Sequence, residues 1–427
     1  MFARAERDRE RIEAPSLPVG AGLPSRLREL LWETSAMQRY VTSVATSAAI
    51  LLAACGDPAT RPGTTAPTSS ASASLDADLS HRAVGGVYVG TNDAQANAVV
   101  AFARLESGAL LKIGEFKTGG AGIGGTADPL QSQGSVILSA NHKRLYVVNA
   151  GSNSVSTFAV LDDASLHLLG TVGSGGRGPI SMTLTENRLY VLNADNSIAG
   201  FSVGDETPRP ILRSRLSLGA STDGPSTINA GRDGRLLFVT QRDINALDVV
   251  TVRADGELTA ASRRASSGIG PFGFAVTSRD QLIVSEAAGT LPNGAVSSYR
   301  VAGNNSLSLI SATLSTHQAA TCWLVLTKDE HFAYVANAGS GSLSGYEVAS
   351  DGSLSPLDAN GRTGVTNGTG AAPLDMDLTR DGKFLYVLQT GTGTVGTFAI
   401  GSHGRLSVLP DTPGLSANAG FEGIAVY

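Results

Sequence analysis

The chain has 427 residues, a net charge of −5, only 16% charged residues and 51 glycines. That length is ample for a buried core, and a weakly acidic chain without a long Lys/Arg run argues against a nucleic-acid partner. Small residues, Val and Leu, and frequent Gly/Asn/Asp turn signals favour many short strands over helices.

Residues 1–36, rich in Arg and Glu (ARAERDRERIEA), read as an upstream extension that no export signal would carry, so translation is expected to begin at Met37. Residues 37–55, MQRYVTSVATSAAILLAAC, place Arg39 before an apolar run too short to span a bilayer comfortably, the pattern of a cleavable signal. Its end, Leu52-Ala53-Ala54-Cys55, resembles the bacterial lipobox. That resemblance implies a lipidated Cys55 as first mature residue and a cell-envelope protein touching the membrane through its anchor alone. Gly56, in place of Asp, resembles outer-membrane sorting. Residues 56–83 form a Pro/Ser/Thr/Ala tether without apolar periodicity. The remaining cysteine, Cys322 in CWLVL, reads as a buried apolar thiol.

From residue 84 onward one frame recurs: an apolar run, a polar turn, an apolar-aromatic strand, a small loop and a hairpin. LVLTKDEHFAYVANAGSGSLSGYEVASDGSLSPL (residues 324–357) is its cleanest copy. The residues that end the aromatic strand are Asn149, Asn193, Gln241, Glu286, Asn337 and Gln389, at intervals of about 44 to 52 residues. Four short strands at that period predict β-propeller blades. A further unit around GVYVGTN, ending in Asn92, lacks an innermost strand, and the chain ends in an orphan one, GFEGIAVY. The expected fold is therefore all-β: seven blades of four antiparallel strands over residues 84–427, closed by the C-terminal strand, which removes both sheet edges.

In such a meander, first-strand starts and second-strand ends ring one mouth of the central channel. Of the seven ring residues six are amides, which suit strand-end architecture, and Glu286 alone is a carboxylate. Placed near that mouth are Arg242 and Asp243, Arg177, His317 and Gln318, with Glu422 and Asp375 at the starts of the first and seventh blades. In a hydrolytic reading Glu286 activates water and His317 protonates a leaving oxygen, while Arg242, Arg177 and Gln318 hold substrate. The plainer reading pairs Glu286 with Arg242 and leaves His317 and Arg177 as loop residues. Turns such as Arg380-Asp381-Gly382-Lys383 fall at the opposite mouth and read as hairpin chemistry. His, Cys and Asp show no metal-ligand spacing, and neither a metal nor a cofactor is expected.

The strands DGKFLYVLQ and EHFAYVANAGSGSLSGYEV and the hairpin DGSLSPL resemble the seven-bladed lactonase propellers, which include propeller-type 6-phosphogluconolactonases and carboxymuconate-cyclising enzymes. The resemblance covers the whole repeat region. It implies a site built from Arg and His at a Pro-Arg-His strand start and a Glu about fifteen residues on. Ser285-Glu286 matches the Glu, whereas that blade starts Pro271-Phe272-Gly273, without the Arg or the His. The expectation is a monomeric cell-envelope propeller that hydrolyses a small lactone or cyclic ester at the channel mouth. The alternative is a non-catalytic propeller that binds a ligand or protein partner there.

Overall fold

Each repeat becomes a four-stranded antiparallel sheet because its apolar runs are strand-length and its Gly/Asp/Asn clusters turn the chain. The computed structural model describes residues 83–287 and 294–427; the upstream extension, the leader with Cys55 and all but the last residue of the tether lie outside the described residues. Seven such sheets follow one another. Their innermost strands are Glu422–Val426, Val136–Leu138, Pro179–Leu184, Pro225–Ala230, Pro271–Val276, Thr321–Leu326 and Pro373–Leu378, for blades 1 to 7 in turn. Four open on proline, which the first position of a strand tolerates because its missing N–H costs no ladder bond there.

Blade 1 is completed by the chain's last strand: Val87 lies opposite Val426 and Val89 opposite Ile424. The ring is thus closed by antiparallel pairing, with the fold expected from the repeat. Asn149, Asn193, Gln241, Glu286, Asn337 and Gln389 each end the second strand of their blade. Asn92 instead lies two residues beyond Gly85–Gly90, in the left-handed region at φ 51°.

The core lies between neighbouring blades. Leu236 and Phe238 of blade 4, for example, pack with Phe274, Leu282 and Val284 of blade 5. Tyrosines of the second strands reach across these seams. Tyr88 donates to the Ala164 carbonyl (3.0 Å), Tyr334 to that of Gly404 (2.9 Å) and Tyr386 to that of Gly108 (2.7 Å). Each bond joins one blade to the outer hairpin of the next, and the last ties blade 7 to blade 1.

The connections between blades are short except one. Thr118–Ser135, between blades 1 and 2, is about 18 residues long, against about five to eight elsewhere, a length that commonly marks a functional loop. It turns into the channel. Ser132 donates to the Ile180 carbonyl of blade 3 (2.7 Å) and accepts from the Trp323 indole of blade 6 (2.8 Å). The Gln133 amide makes a two-pronged bond with the backbone of Leu324 (2.7 and 2.9 Å). With a further bond from Met182 to the Gly134 carbonyl (2.9 Å), this segment bridges opposite walls and plugs the channel near its upper end, where the innermost strands start.

Candidate active site at the upper end of the channel

The plug brings a carboxylate to the ring of strand starts. Asp128, half-buried, shares a hydrogen bond with Glu422 at the start of the blade 1 innermost strand. Glu422 is also held by the Leu130 backbone N–H, which donates to its Oε1 (3.2 Å). Asp375, at the start of the blade 7 strand, is buried beside them and bonded by the Gly134 N–H. Three acids thus converge from one loop and two strands.

Their environment sorts their protonation. Burial pushes Asp128 up to about 6, while the hydrogen bond from Glu422 and the positive field of Arg242 act against the rise. Burial and the neighbouring Asp128 charge push Glu422 well above the carboxylate range, and burial with the charges of Asp128 and Asp377 does the same to Asp375. Near neutrality the arrangement is one carboxylate, Asp128, accepting a proton-bearing bond from neutral Glu422. Arg242 sits close enough to favour the Asp128 charge, and its guanidinium is fixed by Asp243 (2.9 and 3.2 Å). Cys322 lies within the same field, buried, its thiol pushed up by desolvation.

The other residues singled out from the sequence occupy separate places on the upper rim. Glu286 is 1% exposed and lies in the seam behind blade 5. Its Oε1 accepts from Ser297 Oγ (2.7 Å), the Gly268 N–H (2.7 Å) and Ser266 Oγ (3.3 Å). Desolvation raises its pKa against these three bonds. The sister amides do similar work: Asn149 donates to Ser154 and Ser156, and Asn337 to Ser342 and Ser344. His317 is exposed at φ 57°, with Nδ1 3.5 Å from Ser315 Oγ. Gln318 is buried and used on both ends, donating to the Asn360 carbonyl (2.8 Å) and accepting from Ser342 (3.1 Å). Arg177 is exposed, its backbone N–H bonded to Asp195. Of the candidates, Arg242 alone stands near the acid cluster, beside Asp128 and the strand-start residues Glu422 and Asp375. Among the described residues no group of His, Cys, Asp and Glu is arranged to hold a metal ion.

Structural relatives share this architecture. A candidate 6-phosphogluconolactonase from Bacteroides fragilis matches with a TM-score of 0.62 at 20% identity, covering 80% of this chain and 98% of that one. The periplasmic gluconolactonase of Pseudomonas aeruginosa matches with a TM-score of 0.61 at 15% identity, covering 79% of this chain and 98% of that one. A Lactobacillus plantarum protein gives 0.60 at 18%, covering 80% and 99%. At these identities the likeness speaks for the fold. No curated protein matches the sequence. The family model for lactonases with a seven-bladed β-propeller matches residues 88–210 and 283–420, more than half of the chain, and the protein belongs to that family.

Proposed function

We propose that the protein hydrolyses a small lactone at the upper end of the channel, with Asp128 as general base. The observation that carries this reading is the Asp128–Glu422 pair beside Arg242: a carboxylate poised near 6, oriented by a neutral acid and facing a cation. A base tuned toward neutral pH suits proton abstraction from water. Asp128 takes a proton from a water molecule as its oxygen attacks the lactone carbonyl carbon. The ring C–O bond then breaks, and the ring oxygen receives that proton back from Asp128, giving the open hydroxy acid. Glu422 keeps its own proton and holds Asp128 in place. Arg242 supplies positive charge for the carbonyl oxygen as it becomes anionic.

The reading is supported by membership of the lactonase family and by Arg242, named from the sequence as a substrate-binding candidate, acting on Asp128 together with Glu422. The test is proton release on a panel of sugar and simple lactones by the wild type, Asp128→Asn and Glu286→Gln. Loss of Asp128 as base is expected to lower kcat/KM by about 10²- to 10⁴-fold. The wild-type kcat/KM is expected to rise with pH through about 6, as Asp128 ionises. Turnover that survives Asp128→Asn but disappears in Glu286→Gln moves the chemistry to Glu286. A folded wild type inert on every lactone favours the non-catalytic, ligand-binding alternative.

A further inference from the structure

The channel below the plug is not filled. Gln133 and Gly134 roof a cavity of about 560 Å³ that runs down to the turns joining first and second strands, a volume in the range of small-molecule sites (about 300–1,000 Å³). Its rim carries three basic side chains from three blades: His142, Lys328 and Arg380.

Hairpin chemistry explains the turns without explaining these cations. In Thr379-Arg380-Asp381-Gly382, Thr379 Oγ1 donates to Asp381 (2.6 Å) and Asp381 accepts the Lys383 N–H (3.1 Å). In Thr327-Lys328-Asp329-Glu330 the same two roles fall to Thr327 and Asp329. The second turn position is left to solvent in both, and both times it is a cation lining the same cavity. Among the described residues neither Lys328 nor Arg380 has a hydrogen-bond or salt-bridge partner. They stand near enough to His142 that, after burial, their charges press its imidazole toward the neutral form. The His142 ring itself is steadied by stacking on Tyr427, with centroids 5.1 Å apart.

The cavity wall adds polar groups that the protein leaves unused. Thr227 Oγ1 and Asp375 Oδ2 are buried, line the cavity and have no hydrogen-bond partner among the described residues. Buried polar atoms without a partner are uncommon in folded proteins, and two lining one cavity suit the hydroxyl groups of a ligand. Asp377, also on the wall, is engaged by the Val426 N–H (2.8 Å).

We propose that this lower cavity is a second binding site, for a small polyhydroxylated anion whose phosphate or carboxylate group is held by Lys328 and Arg380 and whose hydroxyls meet Thr227 and Asp375. It lies below the plug, and Asp375, whose carboxyl also stands beside Asp128 and Glu422, is the residue that the two sites share. Two cations lining one cavity, each able to form charge-assisted bonds to an anion, supply its sign selectivity against the wall carboxyls Asp375 and Asp377.

Calorimetric titration of the full chain with glucose 6-phosphate and with gluconate tests it, the two probes separating a phosphate anchor from a carboxylate one. One-to-one binding of either probe is expected. Lys328→Ala and Arg380→Ala are each expected to weaken it about tenfold or more. Arg232→Ala, at the same turn position of blade 4 but outside this cavity, is the control and is expected to leave it unchanged. No binding of either probe at millimolar concentration, or binding indifferent to both the Lys328 and Arg380 substitutions, overturns the proposal.

Discussion

Glu286 shows how one position can carry two histories. Its backbone place is that of the amide sisters, and its Oε1 is satisfied by Ser297, Gly268 and Ser266, yet its Oε2 is buried without a partner among the described residues. An amide at this position keeps the accepting oxygen and removes the charge that burial disfavours. Because the folded-state pKa is raised, the native protein holds a proton that the unfolded chain gives up, and stability falls as pH rises through this range. Glu286→Gln is therefore expected to be at least as stable as the wild type at pH 7 in urea denaturation. A loss of more than about 2 kcal/mol would mean that the negative charge itself is needed, and would turn Glu286 back into a functional residue.

At the scale of strands and hairpins, the ring depends on seams rather than on a common centre. The Tyr386 hydroxyl bond to Gly108 joins blade 7 to blade 1, and Gly108 is constrained there twice: its φ is +86°, and a Cβ would lie 2.5 Å from the Phe384 ring. The Tyr190 hydroxyl, by contrast, meets Arg188 of its own strand, and among the described residues no bond ties it to the next blade. Tyr386→Phe leaves a buried carbonyl unpaired and is expected to cost about 1–2 kcal/mol, whereas Tyr190→Phe breaks no bond between blades and is expected to cost less. Equal losses in the two, read from denaturant midpoints, would show that these hydroxyls do not staple the seams. The strand ends were legible in the sequence because a blade's period and its alternating apolar residues survive in every copy, so Asn149 through Gln389 fell where the frame put them. The plug was not, since a repeat frame describes what recurs and Thr118–Ser135 occurs once. Its length was the available signal, and Asp128 within it was hidden for the same reason. Arg242, Glu422 and Asp375 were legible as neighbours of the mouth; what the sequence left out was the loop that gathers them.

Among the described residues, the acids buried along the channel are displaced in one direction, and the turn acids Asp93, Asp329, Asp351 and Asp381 in the other. Burial raises Asp128 and Asp377 to about 6 and lifts Asp375 and Glu422 further, with Glu286 raised behind them. In each case the folded state binds protons more tightly than the unfolded chain, so between the ordinary carboxylate range and the raised values the native protein carries the extra protons. Stability must then decline as pH rises through that window, the reverse of a protein held by ionised salt bridges. Asp377 links this to ring closure, because its carboxyl receives the Val426 N–H of the last strand and the Leu378 N–H of its own. A displacement to about 6 implies a penalty on the order of 2–3 kcal/mol at neutral pH for this one group. The melting temperature is accordingly expected to be higher at pH 5 than at pH 7.5, and Asp377→Asn to show a shallower decline even if its absolute stability changes through the altered bond to Val426. A melting temperature that is flat or rises over the same interval would mean that these carboxyls ionise in the folded protein as freely as in the unfolded chain. The channel acids would then be hydrated, and the burial that tunes Asp128 would be lost with them.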